Sequence, residues 1–342
     1  LKTMNKSTKL KSIKDKEKLS IAEKNLFVKS KEISGISIKG YNFDKGIDYN
    51  KIVDSYSSTG FQASNLGKAI EITQEMVKND SFIFLGYTSN MISSGLREII
   101  RWLVQNNKIN VLVTTAGGVE EDFVKCLGDF KLGDFSADGS ELRKKGINRI
   151  GNIFVPNSRY IAFEEFAQEV LEEIYEEQKK SGKPTTPSQI IQKLGEKINN
   201  NESIYYWAFK NQIPVYCPTI GDGAIGDNIY FFKHKHPDFI LDLSQDIKDL
   251  NDTTISIKKS GIIILGAGTV KHSILNANML RNGADYAVYI NTEQEFNGSD
   301  SGASPEEAKS WGKLRGKDGM SVKVFSDATL VFPLLVAKGF FR

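Results

Sequence analysis

From about residue 40 onward, short apolar runs alternate with longer segments in which apolar residues recur at helical spacing. In the segment 95–107, Leu96, Ile99, Ile100 and Leu103 fall on one helical face. The short runs are almost continuously apolar and end in small or polar residues, as strands buried on both faces do. These runs are SFIFLGYTSN, INVLVTTAGG, GNIFVP, IPVYCP, FILDL, GIIILGAG and ADYAVYI. The alternation predicts a parallel α/β sheet with helices on both faces.

Two segments differ from this pattern. Residues 1–37 are rich in lysine and lack a strong apolar stripe, so we expect a mobile basic arm with a short helix near IAEKNLF. No linker composition interrupts residues 38–342, which predicts one large domain. The helical segment FEEFAQEVLEEIYEEQKK carries many glutamates, which we interpret as a solvated face. Its opposite face contains Phe163, Phe166, Val170, Leu171 and Ile174.

Composition and charge narrow the function classes. The formal net charge of +3 comes from eight lysines in the first 25 residues, so the remainder is close to neutral and does not indicate a nucleic-acid-binding surface. The longest apolar runs are too short to span a bilayer. Cys126 and Cys217 stand far apart in apolar contexts, which favours buried free thiols over a disulfide. A cytoplasmic location without membrane attachment follows as the expectation.

Candidate ligand-binding residues gather where the predicted strands end. In open α/β sheets, ligands bind just beyond the carboxyl ends of the strands. The run GAGTVKH has the form G-x-G without a third glycine, and alone it fits a dinucleotide site or a tight strand–helix turn equally well. Together with TTAGG and TSN, it favours a nucleotide.

Several carboxylates also follow predicted strands, namely Glu120, Glu121, Asp222, Asp227 and Asp300. A single loop carboxylate is more often a turn or cap residue than a ligand contact. Several that converge on one cleft need a cation between them. The three histidines of the chain have no metal-ligand spacing, so we expect no metal and favour an organic polycation.

The stretch PEEAKSWGKLRG raises the question of Lys313. Ser304 at the N-cap, Pro305 at N1 and Glu307 at N3 predict a capping box. By position alone, Lys313 is best explained as a solvated lysine at a helix C-terminus. The alternative is a nucleophile, because a neutral amine attacks carbonyl and imine carbons.

Long stretches of the chain resemble the deoxyhypusine synthase family. They are TGFQASNLGKAI, TSNMISSGLREIIRWLVQNNKINVLVTTAGGVEEDFVKCL, GINRIGNIFVPN, SIYYWAFKNQIPVYCPTIGDGAIGD, GAGTVKHSILNANMLRNGADYAVYINTEQEFNGSDSGASPEEAKSWGKLR and VKVFSDATLVFPLLVA. The resemblance extends from about residue 38 to the end, whereas the basic arm has no close counterpart. It implies a Rossmann-like, doubly wound fold and a homotetramer with active sites at subunit interfaces.

The resemblance also implies a reaction. Members of the family use NAD to oxidise and cleave spermidine, and they hold the aminobutyl fragment as an imine on an enzyme lysine. The fragment passes to one lysine of the precursor of eukaryotic translation initiation factor 5A and is reduced there to deoxyhypusine, the first step of hypusine formation.

Site residues follow from the matching motifs. The catalytic residues are expected to be the nucleophile Lys313 and the proton acceptor His272. The residues expected at spermidine are Glu120, Glu121, Asp227, His272, Gly298, Ser299, Asp300, Glu307, Trp311 and Lys313. The residues expected at NAD are Ser89, Asn90, Met91, Ile92, Ser93, Thr115, Ala116, Gly117, Glu121, Asp222, Ala267, Thr292, Glu293, Asp327 and Ala328. Ala267 and Glu293 depart from the family's commonest pattern, so only their main chains are expected to contribute.

Three other functions stay open beside this one. Homospermidine synthase, of nearly the same architecture, passes the same fragment to putrescine, and no feature of the sequence separates the two. A regulatory NAD-binding partner subunit should lack the nucleophile or the acidic residues, and this chain has both. A plain NAD-dependent dehydrogenase would leave Lys313 without a task.

Overall fold

The computed structural model describes residues 15–341, and the chain divides into two compact units, Leu1–Ile38 and Lys39–Arg342. In the first unit, the described part contains one helix, α1 (Asp15–Leu26), whose side chains are all exposed. It includes most of the IAEKNLF segment for which a helix was predicted. The lysines of the predicted arm up to Lys14 lie outside the described residues.

The second unit contains a regular succession of helices and strands. In chain order they are α2 (Tyr49–Asp54), α3 (Tyr56–Thr59), α4 (Phe61–Lys78), β1 (Phe82–Tyr87), α5 (Ser89–Ser93), α6 (Leu96–Gln105), β2 (Val111–Thr114), α7 (Ala116–Leu127), β3 (Lys131–Leu132), α8 (Gly139–Lys144), β4 (Ile147–Ile150), β5 (Ile153–Pro156), α9 (Asn157–Ser181), α10 (Pro187–Ile198), α11 (Ile204–Lys210), β6 (Val215–Tyr216), α12 (Ala224–Lys235), α13 (Leu243–Ile255), β7 (Ser260–Leu265), α14 (Thr269–Met279), β8 (Tyr286–Asn291), α15 (Pro305–Ser310), β9 (Met320–Phe325) and α16 (Ala328–Gly339).

Six strands form a parallel sheet in the order β6-β2-β1-β7-β8-β9. The chain therefore starts in the middle, builds outward to one edge, returns to the middle and builds outward to the other edge. At the centre, Leu85 of β1 lies between Leu112 of β2 and Ile263 of β7. This order defines a doubly wound, Rossmann-like sheet and confirms the predicted fold class.

The central strands are apolar along their whole length because helices cover both faces of the sheet. In β7, Ile263 and Leu265 join the core that contains α4 and α6, whereas Ile262 and Ile264 join the core that contains α14. Each fully buried side chain of this type contributes about 1.5–3 kcal/mol to the free energy of unfolding. The continuous apolar runs thus report burial on two faces, as predicted.

The outer strand β9 was not among the predicted strands. Its residues are mostly half-buried, and Lys323 stands between Val322 and Val324. Side chains of α4 satisfy its free edge: Phe325 N–H donates to Gln62 Oε1 at 2.7 Å, and Asn65 Nδ2 donates to Lys323 O at 3.2 Å. An edge covered in this way does not expose a template for strand pairing.

Two predicted strands differ in the structure. The FILDL prediction is wrong, since Leu241 forms only an isolated bridge with Thr185. Asp242 caps the next helix instead, accepting the Ser244 N–H at 2.9 Å. GNIFVP does contain β5, but β5 lies in a separate antiparallel sheet of order β3-β5-β4 and is mostly half-buried. Its apolar residues therefore do not contribute to the parallel sheet.

The predicted helical faces are confirmed. Helix α6 buries Leu96, Ile100 and Leu103, with Ile99 partly buried. Helix α9 buries Phe163, Val170, Leu171 and Ile174, with Phe166 partly buried. Within residues 15–341, no helix is both long enough and apolar enough to cross a membrane.

Candidate functional site

The carboxyl ends of the strands enclose a crevice where the order of the sheet reverses. Its cavity of about 320 Å³ lies at the ends of β1, β7, β8 and β9. In doubly wound sheets this switch point is where ligands bind. Of the residues predicted to bind NAD, the lining includes Asn90, Met91, Ala267, Thr292, Glu293, Asp327 and Ala328.

The chemistry of this lining fits a dinucleotide. Gly268, with φ of +68°, precedes α14, whose N-terminus therefore begins at the crevice and favours a phosphate group. Asp327 Oδ1 accepts the Thr329 N–H and hydroxyl, each at 2.8 Å. Its Oδ2 has no hydrogen-bond partner among the described residues, so it can accept from a ribose hydroxyl. Glu293, one of the two expected departures from the family pattern, has an exposed side chain.

The remaining residues predicted for NAD lie on or next to α5 and α7, except Asp222, which precedes α12. Ser89 Oγ and Thr115 Oγ1 are 2.6 Å apart. A Cβ at Gly117 would lie 2.6 Å from Ser89 Oγ, so glycine is required for this close approach of the two helices. Ile92 and Ala116 are fully buried in the core, which leaves Ala116 only its main chain for a ligand.

Four carboxylates form an acidic group, which we define as Glu120, Glu121, Asp222 and Asp227. Glu120 is buried and accepts the Ile225 N–H at 2.8 Å. Burial raises its pKa, and the charges of Asp227 and Asp222 raise it further, although backbone hydrogen bonds oppose the shift. These two aspartates are exposed.

Glu121 is the most perturbed member of the acidic group. Burial raises its pKa to about 7, the Ser93 hydroxyl opposes the shift by donating a hydrogen bond, and the charge of Glu120 adds to the shift. Within the part of the chain that the structure describes, no lysine or arginine forms an ion pair with any of the four carboxylates. Their chemistry fits a cationic ligand.

A second cluster, the lysine–histidine group, consists of Lys271, His272, Asp300, Glu307, Trp311 and Lys313. His272 Nδ1 lies 3.2 Å from Asp300 Oδ1, and the His272 side chain is half exposed. The exposed turn before Asp300 contains Gly298 and Ser299, whose N–H donates to Asn297 Oδ1 at 2.8 Å. A carboxylate paired with an accessible imidazole can orient a proton acceptor.

Lys313 is not a solvated lysine at a helix end. Helix α15 ends at Ser310, and Gly312, with φ of +72°, turns the chain before Lys313. The Lys313 side chain is only 8% exposed, and its Nζ lies 5.7 Å from the ring centroid of Trp311. Trp311 itself is 64% exposed. A buried amine beside an open aromatic face is the arrangement that a nucleophilic lysine needs.

The predicted capping box is wrong in its hydrogen bonds. Ser304 is the N-cap and Pro305 is at N1, but the Ser304 side chain makes no cap bond. The Glu307 side chain is exposed and does not reach back to Ser304. The Glu307 carboxylate therefore has no capping role, and its charge acts to raise the pKa of Lys271.

Lys271 was missed by the sequence reasoning. It is only 1% exposed, and its Nζ donates to Ala303 O at 2.9 Å and to Asp300 O. Burial lowers the pKa of Lys271, whereas the charges of Asp300 and Glu307 oppose the shift. Lys313 lies near enough to lower it further. Its spacing with Ile274 and Leu275, on the buried face of α14, was the available signal.

Two buried polar atoms lie beside Lys271. Its Nζ is 5.1 Å from the ring centroid of Tyr289, and Tyr289 is fully buried. The Tyr289 hydroxyl and Asp300 Oδ2 both lack a hydrogen-bond partner within residues 15–341. The charge of Asp300 contributes to the raised pKa of Tyr289, so the two groups are close. Unpaired buried polar atoms are costly, which marks this spot as one suited to a polar ligand.

The two groups occupy different halves of the sheet. The acidic group follows β2 and β6, whereas the lysine–histidine group follows β7 and β8, and β1 lies between. Among the described residues, no hydrogen bond or ion pair joins one group to the other. All five carboxylates were predicted to converge on one cleft. Within one chain, Asp300 makes no direct contact with the four carboxylates of the acidic group.

The sheet order and the crevice at its switch point define a Rossmann-like α/β protein with a ligand site at the carboxyl ends of its strands. The sequence profile of the deoxyhypusine synthase family matches residues 51–339. The chain belongs to this family. A deoxyhypusine synthase of Senecio vernalis is 51% identical, with 92% of each chain covered.

Two further comparisons agree with this assignment. A homospermidine synthase, also of Senecio vernalis, is 49% identical, with 95% of each chain covered. A crystal structure from Entamoeba histolytica, assigned as a deoxyhypusine synthase, is 36% identical with a TM-score of 0.67. It covers 89% of this chain and 96% of its own.

Proposed function

We propose that this protein is a deoxyhypusine synthase. It transfers the aminobutyl group of spermidine, with NAD as cofactor, to a specific lysine of the precursor of eukaryotic translation initiation factor 5A. The observation that carries the proposal is Lys313, which is buried beside Trp311 and lies near Lys271. A dehydrogenase without a covalent step has no use for such a lysine, and the family of the chain supplies the reaction.

Spermidine fits the charges of the two groups. It carries three ammonium groups joined by methylene chains. Asp300 Oδ2 is buried without a partner among the described residues, and the acidic group has no cation paired to it there. The exposed face of Trp311 offers a surface for methylenes and a cation–π contact for an ammonium group.

The residues divide the chemistry among them. His272, oriented by Asp300 at 3.2 Å, accepts the proton lost when the secondary amine of spermidine is oxidised. The Lys313 amine then attacks the imine carbon, and the carbon–nitrogen bond to diaminopropane breaks. The aminobutyl group remains as an imine on Lys313 until the acceptor lysine displaces it. The new imine on the acceptor is finally reduced to a secondary amine.

NAD is proposed for the crevice at the switch point. The chemistry that it would supply there is reversible hydride transfer, for the oxidation of spermidine and for the final reduction of the imine. Asp327 would hold ribose hydroxyls, and the main chain at Ala267 and Gly268 would lie along the phosphates. Ser89, Thr115 and Gly117 would line the other end of the site.

We further propose that the active site forms between subunits of a homotetramer. The acidic group and the lysine–histidine group lie in different halves of one sheet. A second copy placed against the exposed Trp311 can bring its acidic group to the lysine of the first. This proposal accounts for carboxylates that have no cation partner within the described part of their own chain.

The test is incubation of the purified protein with labelled spermidine, NAD and the factor precursor. We expect label in the precursor. When putrescine replaces the precursor, we expect labelled homospermidine to form only at a much lower rate. The 49% identity to a homospermidine synthase makes the putrescine arm essential. Transfer to putrescine alone would reject deoxyhypusine synthase and favour that second function. Transfer to neither acceptor would favour the regulatory subunit.

A further inference from the structure

A ten-residue loop, here called the 293–302 loop, connects β8 to α15 and carries residues of both proposed sites. Glu293 at its start lines the crevice, and Gly298, Ser299 and Asp300 belong to the proposed spermidine site. Its internal hydrogen bonds are local, such as Gly298 N to Glu295 O at 3.1 Å and Gly302 N to Ser299 O at 3.1 Å. These bonds shape the turns but do not close the loop.

The two ends of the loop touch at a narrow neck. A Cβ at Gly302 would lie 1.9 Å from the carbonyl oxygen of Gln294, so only glycine permits this approach of the two backbone segments. Within residues 15–341, no backbone hydrogen bond joins Glu293–Glu295 to Asp300–Ala303. The contact at the neck therefore depends on something other than backbone pairing.

One side chain spans the neck. Lys323 of β9 donates from Nζ to Glu293 O at 2.8 Å and to Gly302 O at 2.5 Å. Burial lowers the pKa of the Lys323 ammonium, and the charges of Glu295 and Glu293 oppose the shift. The strand itself is held from the other side, because Lys323 O accepts from Asn65 Nδ2 at 3.2 Å. Lys323 thus joins both ends of the loop to a fixed strand.

We propose that Lys323 is a positioning residue that clamps the neck of the 293–302 loop and thereby places Asp300 relative to the cofactor crevice. Lys271 contributes differently, because it ties only the returning end of the loop, at Asp300 O and Ala303 O, to α14. The inference rests on the proposed function for its catalytic consequence. Its structural part, the closed neck, does not depend on that function.

The experiment removes the ammonium while keeping most of the apolar part of the side chain. Lys323→Met removes both donors, and Lys338→Met is the matched control, since Lys338 pairs with Asp54 at 2.8 Å outside the site. Hydrogen exchange of peptides covering residues 294–302 should accelerate at least tenfold in Lys323→Met and stay unchanged in Lys338→Met. Exchange in the core strands should match the wild type in both variants.

Steady-state kinetics provide the second measurement. Misplacing Asp300 would cost its charged hydrogen bond to spermidine, which is worth about ten- to a hundredfold in affinity, so the KM for spermidine should rise by up to that factor in Lys323→Met. The NAD affinity should change less, because the Glu293 N–H is also held by Asn291 Oδ1 at 3.1 Å. Lys323→Arg retains donors for both carbonyls and should recover most of the loss.

The outcomes separate the clamp from the proposed function. Unchanged exchange in the loop of Lys323→Met overturns the clamp, whatever the activity. Equal loss of spermidine and NAD affinity also overturns it. If the wild type transfers nothing, faster exchange confined to the loop still supports the clamp and only the proposed function fails. If Lys323→Met does not fold, Lys323→Arg is decisive, since a natively folded Arg variant with a loosened loop contradicts the clamp.

Discussion

Helix α7 carries three consecutive buried acidic residues, Glu120, Glu121 and Asp122, and they differ in their partners. Asp122 accepts from Arg97 Nε at 2.7 Å and from the Ile204 N–H at 3.0 Å, and the Ser203 hydroxyl adds a third donor. It is fully buried and joins α6, α7 and the start of α11. The charge of Asp122 is therefore compensated by groups of its own chain.

The two preceding glutamates lack this compensation. Glu121 is held by the Ser93 hydroxyl and Glu120 by the Ile225 N–H, and burial raises the pKa of both. On this helix, the carboxylate with a cation partner joins neighbouring helices of the fold. We propose that the two glutamates without a cation partner among the described residues serve an external cation.

The largest expected effect on stability follows from breaking the buried ion pair between Arg97 and Asp122. Asp122→Asn should lower the free energy of unfolding by about 3–5 kcal/mol, because the buried Arg97 loses its buried counter-ion and keeps only the exposed Glu98. Urea unfolding provides the measurement, and Arg97→Met combined with Asp122→Asn should recover part of the loss. A cost below about 1 kcal/mol for Asp122→Asn would show that the pair does not hold the fold.

For Glu121, in contrast, removing the carboxylate is expected to stabilise the unliganded protein. Because the folded-state pKa of about 7 exceeds the usual 4.5, the folded protein binds more protons between these values, and its stability falls as pH rises through that window. At pH 8, Glu121→Gln should therefore stabilise the unliganded protein by roughly 3 kcal/mol, and at pH 4 it should change little. Denaturant midpoints across this range measure it.

The exposed residue Glu165 provides the matched control, and Glu165→Gln should shift stability little at either pH. A Glu121→Gln stabilisation that is equal at pH 4 and pH 8 would mean that the carboxylate charge is not its cause.

A smaller effect concerns the substrate. Asp300→Asn should raise the spermidine requirement about ten- to a hundredfold and change the NAD requirement less, since one charged hydrogen bond is worth roughly 1.5–3 kcal/mol. Glu307→Gln should act similarly, and no capping bond is lost with it, because Ser304 makes none. Asp318→Asn, at an exposed position, is the control. Equal losses for NAD and spermidine would indicate a general structural defect.

The smallest effect is expected at Tyr289. Its hydroxyl is buried without a partner among the described residues, so Tyr289→Phe should leave the stability of the unliganded protein unchanged or slightly higher. When spermidine is added, the Tm of Tyr289→Phe should rise less than the Tm of the wild type. A loss of more than about 1 kcal/mol without ligand would reveal a hidden structural partner.

The fold was predictable where burial acts on both faces. The runs that contain β1, β2, β7 and β8 are continuously apolar because helices cover each side of these strands. Strand β9 was missed because an edge strand alternates, with Lys323 between two valines. FILDL was assigned wrongly because an apolar run does not show which of its residues are buried: Phe239 is buried, whereas Ile240 and Leu243 are exposed.

The site was predictable in part for a related reason. Parallel strands end at one edge, so residues that follow β1, β7, β8 and β9 meet in the crevice. The burial of Lys271 could have been predicted from its spacing with Ile274 and Leu275 on α14, whereas the burial of Lys313 depends on how the chain after α15 packs, which no local pattern encodes. The role of Lys313 came from the resemblance to the family, and it remains a prediction.

The most direct test of the central claim is to trap the covalent intermediate. Borohydride added during turnover with labelled spermidine and NAD should fix the aminobutyl group on the peptide that contains Trp311 to Arg315, as mass spectrometry would detect. Lys313→Arg should yield no adduct and no transfer while keeping the fold and NAD binding, because a guanidinium group cannot form the imine. An adduct on any other lysine, or near-normal transfer by Lys313→Arg, would contradict the account.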